Sequence, residues 1–95
     1  MIAPATADLI ARLAQGRADD LVAALALVST KPILVAPAMH PAMWSHPATR
    51  RNVGLLDGDG RLEWVGPVDG PVASGETGVG RMASPAQIVE AVQMR

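Results

Sequence analysis

Ile33-Leu34-Val35-Ala36 runs without a polar residue between Pro32 and Pro37. A strand with one wet face alternates polar and apolar residues, so an unbroken run of strand length belongs to a strand covered on both sides. That places it in a parallel sheet between helices, in a three-layer α/β arrangement. The flanks supply the other elements. Met1-Ile2-Ala3 before Pro4 reads as the last residues of a buried strand, with the earlier part expected upstream of this chain. Leu9, Ile10 and Leu13 share a helical face, Gly16 stops that helix, and Asp19 or Asp20 caps the next. The second helix carries the stripe Leu21, Val22, Leu25 and Val28. Beyond the strand, Pro47 opens a helix through Leu55-Leu56, Asp57-Gly58-Asp59-Gly60 reads as a turn, and Arg61 to Val65 alternates as an edge-type strand. Gly66 to Ala83 holds five of the nine glycines without a period and reads as a long irregular loop, of the kind kept for binding. Ser84-Pro85-Ala86-Gln87 is a capping box, and Ile88, Val89 and Val92 make the last helix amphipathic.

At 95 residues the chain is one small domain, burying ~60–65% of its unfolded surface. Its net charge of −1 gives no field for a nucleic-acid or polybasic membrane surface, so neither partner is expected. There is no cysteine, which excludes disulfides and thiolate metal sites. The uncharged apolar run Leu21 to Thr30 is about half a membrane span. A soluble, cytoplasmic setting is the expectation.

Pro37 to Trp44 leaves the carboxyl end of the covered strand, the edge where open α/β sheets bind ligands. Met39, Met43 and Trp44 in that loop fit either core filling or a ligand wall. Other motifs are weaker. Gly75-Glu76-Thr77-Gly78-Val79-Gly80-Arg81 lacks dinucleotide-fingerprint spacing and reads as a flexible loop near a ligand. Asp57-Gly58-Asp59-Gly60 has Arg61 and Leu62 where a calcium loop needs an oxygen ligand and a glycine. His40 and His46, the only histidines, have no cysteine or carboxylate cluster to make a zinc site.

Ordered blocks narrow the reading. Ala3-Pro4-Ala5-Thr6-Ala7-Asp8-Leu9, Ala36-Pro37-Ala38-Met39-His40-Pro41-Ala42-Met43-Trp44, Pro47-Ala48-Thr49 and Gly75 through Met82 with Ser84-Pro85 resemble, in order and spacing, the flavin-containing cysteine decarboxylase family. The likeness is greatest to its phosphopantothenoylcysteine decarboxylases of coenzyme A synthesis. It covers essentially the whole chain and implies a Rossmann-like, flavodoxin-like domain of which residues 1–95 form the second half. A catalytic histidine and the first FMN-binding strands are then expected upstream, and no fused ligase domain is contained in these residues.

The resemblance also implies roles. Thr6, Ala7, Asp8 and Leu9 lie in the family's first FMN-holding loop, and Ala38 lies where the second loop meets the flavin. His40 stands at a usual asparagine that recognises the substrate's carboxylate, and Met43 lies against flavin and substrate. Pro71, Val72 and Ala73 belong to the flap over the substrate. Ser74 occupies a usual cysteine position, that of the final proton donor. The implied enzyme is an FMN-dependent lyase that removes CO2 from the cysteine carboxylate of 4′-phosphopantothenoylcysteine and assembles as a trimer-based homo-oligomer. A hydroxyl is a weaker acid than a thiol, so serine there counts against proton donation. A non-catalytic flavin-binding or regulatory subunit and a peptidyl-cysteine decarboxylase are the alternatives.

Overall fold

A computed structural model describes residues 1–72 and 75–94. Strands β1 (Ile2–Ala5), β2 (Ile33–Pro37) and β3 (Leu62–Trp64) form a parallel sheet in the order β1-β2-β3. The uninterrupted apolar run is therefore the central strand. Ile2 pairs with Val35 and Ala5 with Pro37 on one side of it, and Ile33, Leu34 and Val35 face Leu62, Glu63 and Trp64 on the other.

Successive strand residues point to opposite faces, and β2 uses both. Val35 joins Ala5, Ile10, Met39, Leu56 and Leu62 in one core. Ile10 comes from α1 (Ala7–Ala14) and Leu56 from α4 (Pro47–Asp59). Ala36 packs instead with Ala83 and Ile88, the latter from α5 (Pro85–Gln93). Helices thus cover both faces, and a fully buried side chain such as Val35 contributes ~1.5–3 kcal/mol. The three-layer expectation is met.

The remaining elements are α2 (Leu21–Val28), α3 (Pro41–Ser45) and an antiparallel hairpin of β4 (Val68–Pro71) and β5 (Thr77–Arg81). That hairpin corrects the reading of Gly66 to Ala83 as irregular. Its glycines erase the alternation that marks a strand, yet Gly70 and Gly78 adopt φ of 146° and 154° within it, values other residues rarely take. α4 also runs through the expected turn at Asp57-Gly58, because the left-handed C-cap is Gly60. The α2 stripe does not face the core. Leu21, Leu25 and Val28 are exposed and Ala23 is the buried residue. In α5 only Ile88 of the expected face is buried. Of the two proposed caps, Asp20 takes the Ala23 amide at 2.8 Å. The capping box of α5 forms as expected, with Ser84 and Gln87 bonding each other's backbone amides.

Candidate functional site

The loop that leaves β2 is held from both sides. Its Ala38 amide donates to the Ala5 carbonyl at the end of β1, 3.0 Å away, and its Met39 amide donates to the Gly80 carbonyl of β5, 2.9 Å away. Sheet and hairpin thus share one piece of backbone. The junction leaves no space for side chains: a Cβ on Gly80 would overlap the Met39 carbonyl oxygen, and one on Gly78 would sit 2.9 Å from the Pro41 ring.

His40 follows as the N-cap of α3, its Nδ1 accepting the Ala42 amide at 3.0 Å. Its Nε2 lies 2.9 Å from Glu76 Oε2, which precedes β5. A nitrogen that accepts carries no proton, so this geometry assigns the ring proton to Nε2, where Glu76 accepts it. His46 caps α4 in the same way through Nδ1 and the Ala48 amide. Both histidines therefore have structural work at helix starts, and the described residues contain no metal-binding cluster of three such side chains.

Between loop and hairpin lies a cavity of about 430 Å³ lined by Ala38, Met39, His40, Pro71, Val72, Gly80, Arg81 and Met82. Five of the residues singled out one by one in the sequence meet there: Ala38, Met39, His40, Pro71 and Val72. Ala73 and Ser74 lie outside the described residues. Met43 is exposed on α3 and is not among the cavity's lining residues. Of the three large side chains that fitted a ligand wall, only Met39 provides one. Trp44 packs on the core with the Arg50 guanidinium 3.9 Å from its ring centroid.

Thr6 to Leu9 sits at the same carboxyl edge of the sheet but forms the start of α1 rather than a loop. Thr6 Oγ1 takes the Leu9 amide at 3.1 Å, and Asp8 turns to Arg12 at 2.9 Å. The Ala7 and Asp8 amides, in the first turn of α1, have no partner among the described residues. Sequence reasoning missed Glu76 and Arg81 as individual residues. Their signal was the glycine segment that contains them, whose pairing with β4 nothing local announces.

A second hollow of about 360 Å³ opens at the amino ends of β2 and β3, beside Ile33 and Leu62. In parallel sheets ligands collect at the other edge, which favours the cavity by His40.

Known proteins share this sequence and this fold. The Coenzyme A biosynthesis bifunctional protein CoaBC of Mycobacterium tuberculosis is 45% identical over 94 residues, 99% of this chain and 22% of that protein. A cysteine/cysteine sulfinic acid decarboxylase from an unknown prokaryotic organism is 47% identical over 92 residues, 97% of this chain and 25% of that one. Among solved structures, a PPC decarboxylase variant complexed with pantothenoylaminoethenethiol superposes with a TM-score of 0.89 at 38% identity, over 98% of this chain and 52% of that one. The FMN-binding protein AtHal3 gives 0.85 at 36%, over 98% and 51%. The chain thus spans about half the length of these solved relatives. The pattern describing one family, Flavoprotein, matches residues 1–95 from end to end, and the chain belongs to that family.

Proposed function

We propose that this chain forms part of an FMN-dependent decarboxylase that removes CO2 from the cysteine carboxylate of 4′-phosphopantothenoylcysteine. The observation that carries the reading is the cavity at the carboxyl edge of the sheet, walled by the loop after β2 and by the hairpin, with the His40 Nε2–H at its rim.

The residues present suit a flavin on their own terms. Ala38 offers a small side chain, Gly80 offers bare backbone, and the unpartnered Ala7 and Asp8 amides at the start of α1 suit an anionic phosphate. Thr6, Ala7, Asp8, Leu9 and Ala38 would hold FMN. When bound, it supplies the reversible two-electron chemistry that makes loss of CO2 from a cysteinyl carboxylate feasible. The chain's own residues bind and orient. His40 Nε2–H donates to the substrate carboxylate, while Pro71 and Val72 with the Met39 and Met82 side chains exclude water from the reacting end. Met43 is assigned to the substrate-facing side of the assembled enzyme. By the resemblance, Ala73 is assigned to substrate binding and Ser74 to the proton-donor role.

We also infer a cytoplasmic homo-oligomer built on trimers. Exposed Leu21, Leu25 and Val28 on α2 support association with further copies, and no described helix is long and apolar enough to cross a membrane. Light scattering of the natural-length protein should give a multiple of the monomer mass.

The test of function is CO2 release by the natural-length protein. Yellow, FMN-loaded protein that decarboxylates 4′-phosphopantothenoylcysteine faster than free cysteine or a peptidyl cysteine is the expected result. The free-cysteine arm matters because one relative is a cysteine/cysteine sulfinic acid decarboxylase. Colourless protein without turnover on any of the three supports a regulatory subunit and overturns the proposal.

A further inference from the structure

His40 is occupied on both ring nitrogens. Nδ1 takes the Ala42 amide, and the Nε2–H goes to Glu76. The group that holds Nε2 is a carboxylate, the same functional group that the proposed substrate presents. Glu76 is also part of the hairpin's closure, since its carbonyl accepts the Val72 amide at 2.9 Å. Its side chain therefore ties one cavity wall to the other. Arg12 pairs with Asp8, Asp19 and Asp20, and Arg17 with Asp19, all within α1 and the segment leading to α2. The His40–Glu76 hydrogen bond instead bridges loop and hairpin.

We propose that Glu76 is a resident carboxylate that holds the His40 Nε2–H in place of a ligand's carboxylate, and that an entering carboxylate ligand displaces it. The proposal rests on the reading of His40 as the carboxylate-binding residue and adds the residue that competes for it. Two features favour displacement. The Glu76 side chain is 66% exposed, so water screens the pair and replaces its hydrogen bond once it breaks. A single N–H also cannot serve two carboxylates well, and their like charges repel at that distance. Arg81, on the same cavity wall, adds a positive charge that an anionic ligand meets and a neutral one does not use. Glu76 is in these terms a positioning residue. It keeps the ring in the tautomer a carboxylate needs.

The test uses natural-length holoprotein with ¹⁵N-labelled histidine and two probes, N-acetyl-L-cysteine and its neutral carboxamide. In the wild type, N-acetyl-L-cysteine should move the His40 Nε2 resonance, while the carboxamide does not. Glu76→Ala should move the same resonance without ligand and bind N-acetyl-L-cysteine ~2- to ~5-fold more tightly, the range a solvent-screened contact to a carboxylate sustains, with carboxamide affinity unchanged. Glu76→Gln, which keeps shape and loses charge, should fall between. Equal gains for both probes, no gain in Glu76→Ala, or no His40 response to N-acetyl-L-cysteine at any soluble concentration overturns the proposal. His40→Ala separates the two readings. If it loses the carboxylate probe while Glu76→Ala gains nothing, the role of His40 stands and that of Glu76 falls; if it keeps the probe, both fall.

Discussion

The Met39 amide donates to the Gly80 carbonyl across 2.9 Å, and this bond joins the parallel sheet's ligand-side loop to the hairpin. Because a Cβ on Gly80 would run into the Met39 carbonyl oxygen, the two backbones approach only if residue 80 has no side chain. Gly80→Ala should therefore destabilise the protein by ~1–3 kcal/mol, the usual cost of overpacking. Urea denaturation reads this directly, and a wild-type midpoint in the variant would show that the contact yields freely.

His40→Ala in the natural-length protein should weaken binding of the carboxylate substrate by ~1.5–3 kcal/mol, the range for a hydrogen bond to a charged group. Flavin content should not change. His40→Asn keeps a side-chain donor and should be mild. Calorimetry on the three proteins checks the order, and equal affinity throughout would leave His40 only as the cap of α3.

Ser84 accepts the Gln87 amide at 3.2 Å while Gln87 returns a bond to the Ser84 amide at 2.8 Å. Ser84→Ala removes half of this reciprocal cap. A loss of ~1 kcal/mol is expected, visible as a lower denaturant midpoint with an unchanged slope.

The Asp20 carboxyl is held below its ordinary value of 3.8, first by the Ala23 amide and also by the Arg12 guanidinium. The folded protein thus keeps Asp20 ionised at a pH where the unfolded chain protonates it. Its stabilisation is present above the unfolded value and fades as pH falls through the folded one. Asp20→Asn preserves an N-cap acceptor but removes the charge. Midpoints of wild type and variant should be separated at neutral pH and converge in acid; parallel curves would assign Asp20 a purely uncharged role.

Much of this protein was legible one segment at a time. The apolar run at Ile33 to Ala36 implied a strand covered on both faces, since alternation is absent only where neither face meets water, and Ser84 with Gln87 marked a helix start through purely local bonding. The edge at which Ala38 and His40 lie followed from strand direction alone. Tertiary structure decided the rest. Strand pairing between β4 and β5 is non-local, and glycines suited to that pairing carry no pattern that local reading can detect, so the hairpin passed for a loop. Which face of α2 is buried was settled by what packs beside it: Ala23 is small enough to approach the neighbouring elements closely, and the larger Leu21, Leu25 and Val28 were left outside. The meeting of His40 and Glu76, 36 positions apart in the chain, required the fold to bring a helix cap and a hairpin together, because no spacing rule links residues that come within hydrogen-bond distance only once the chain has folded.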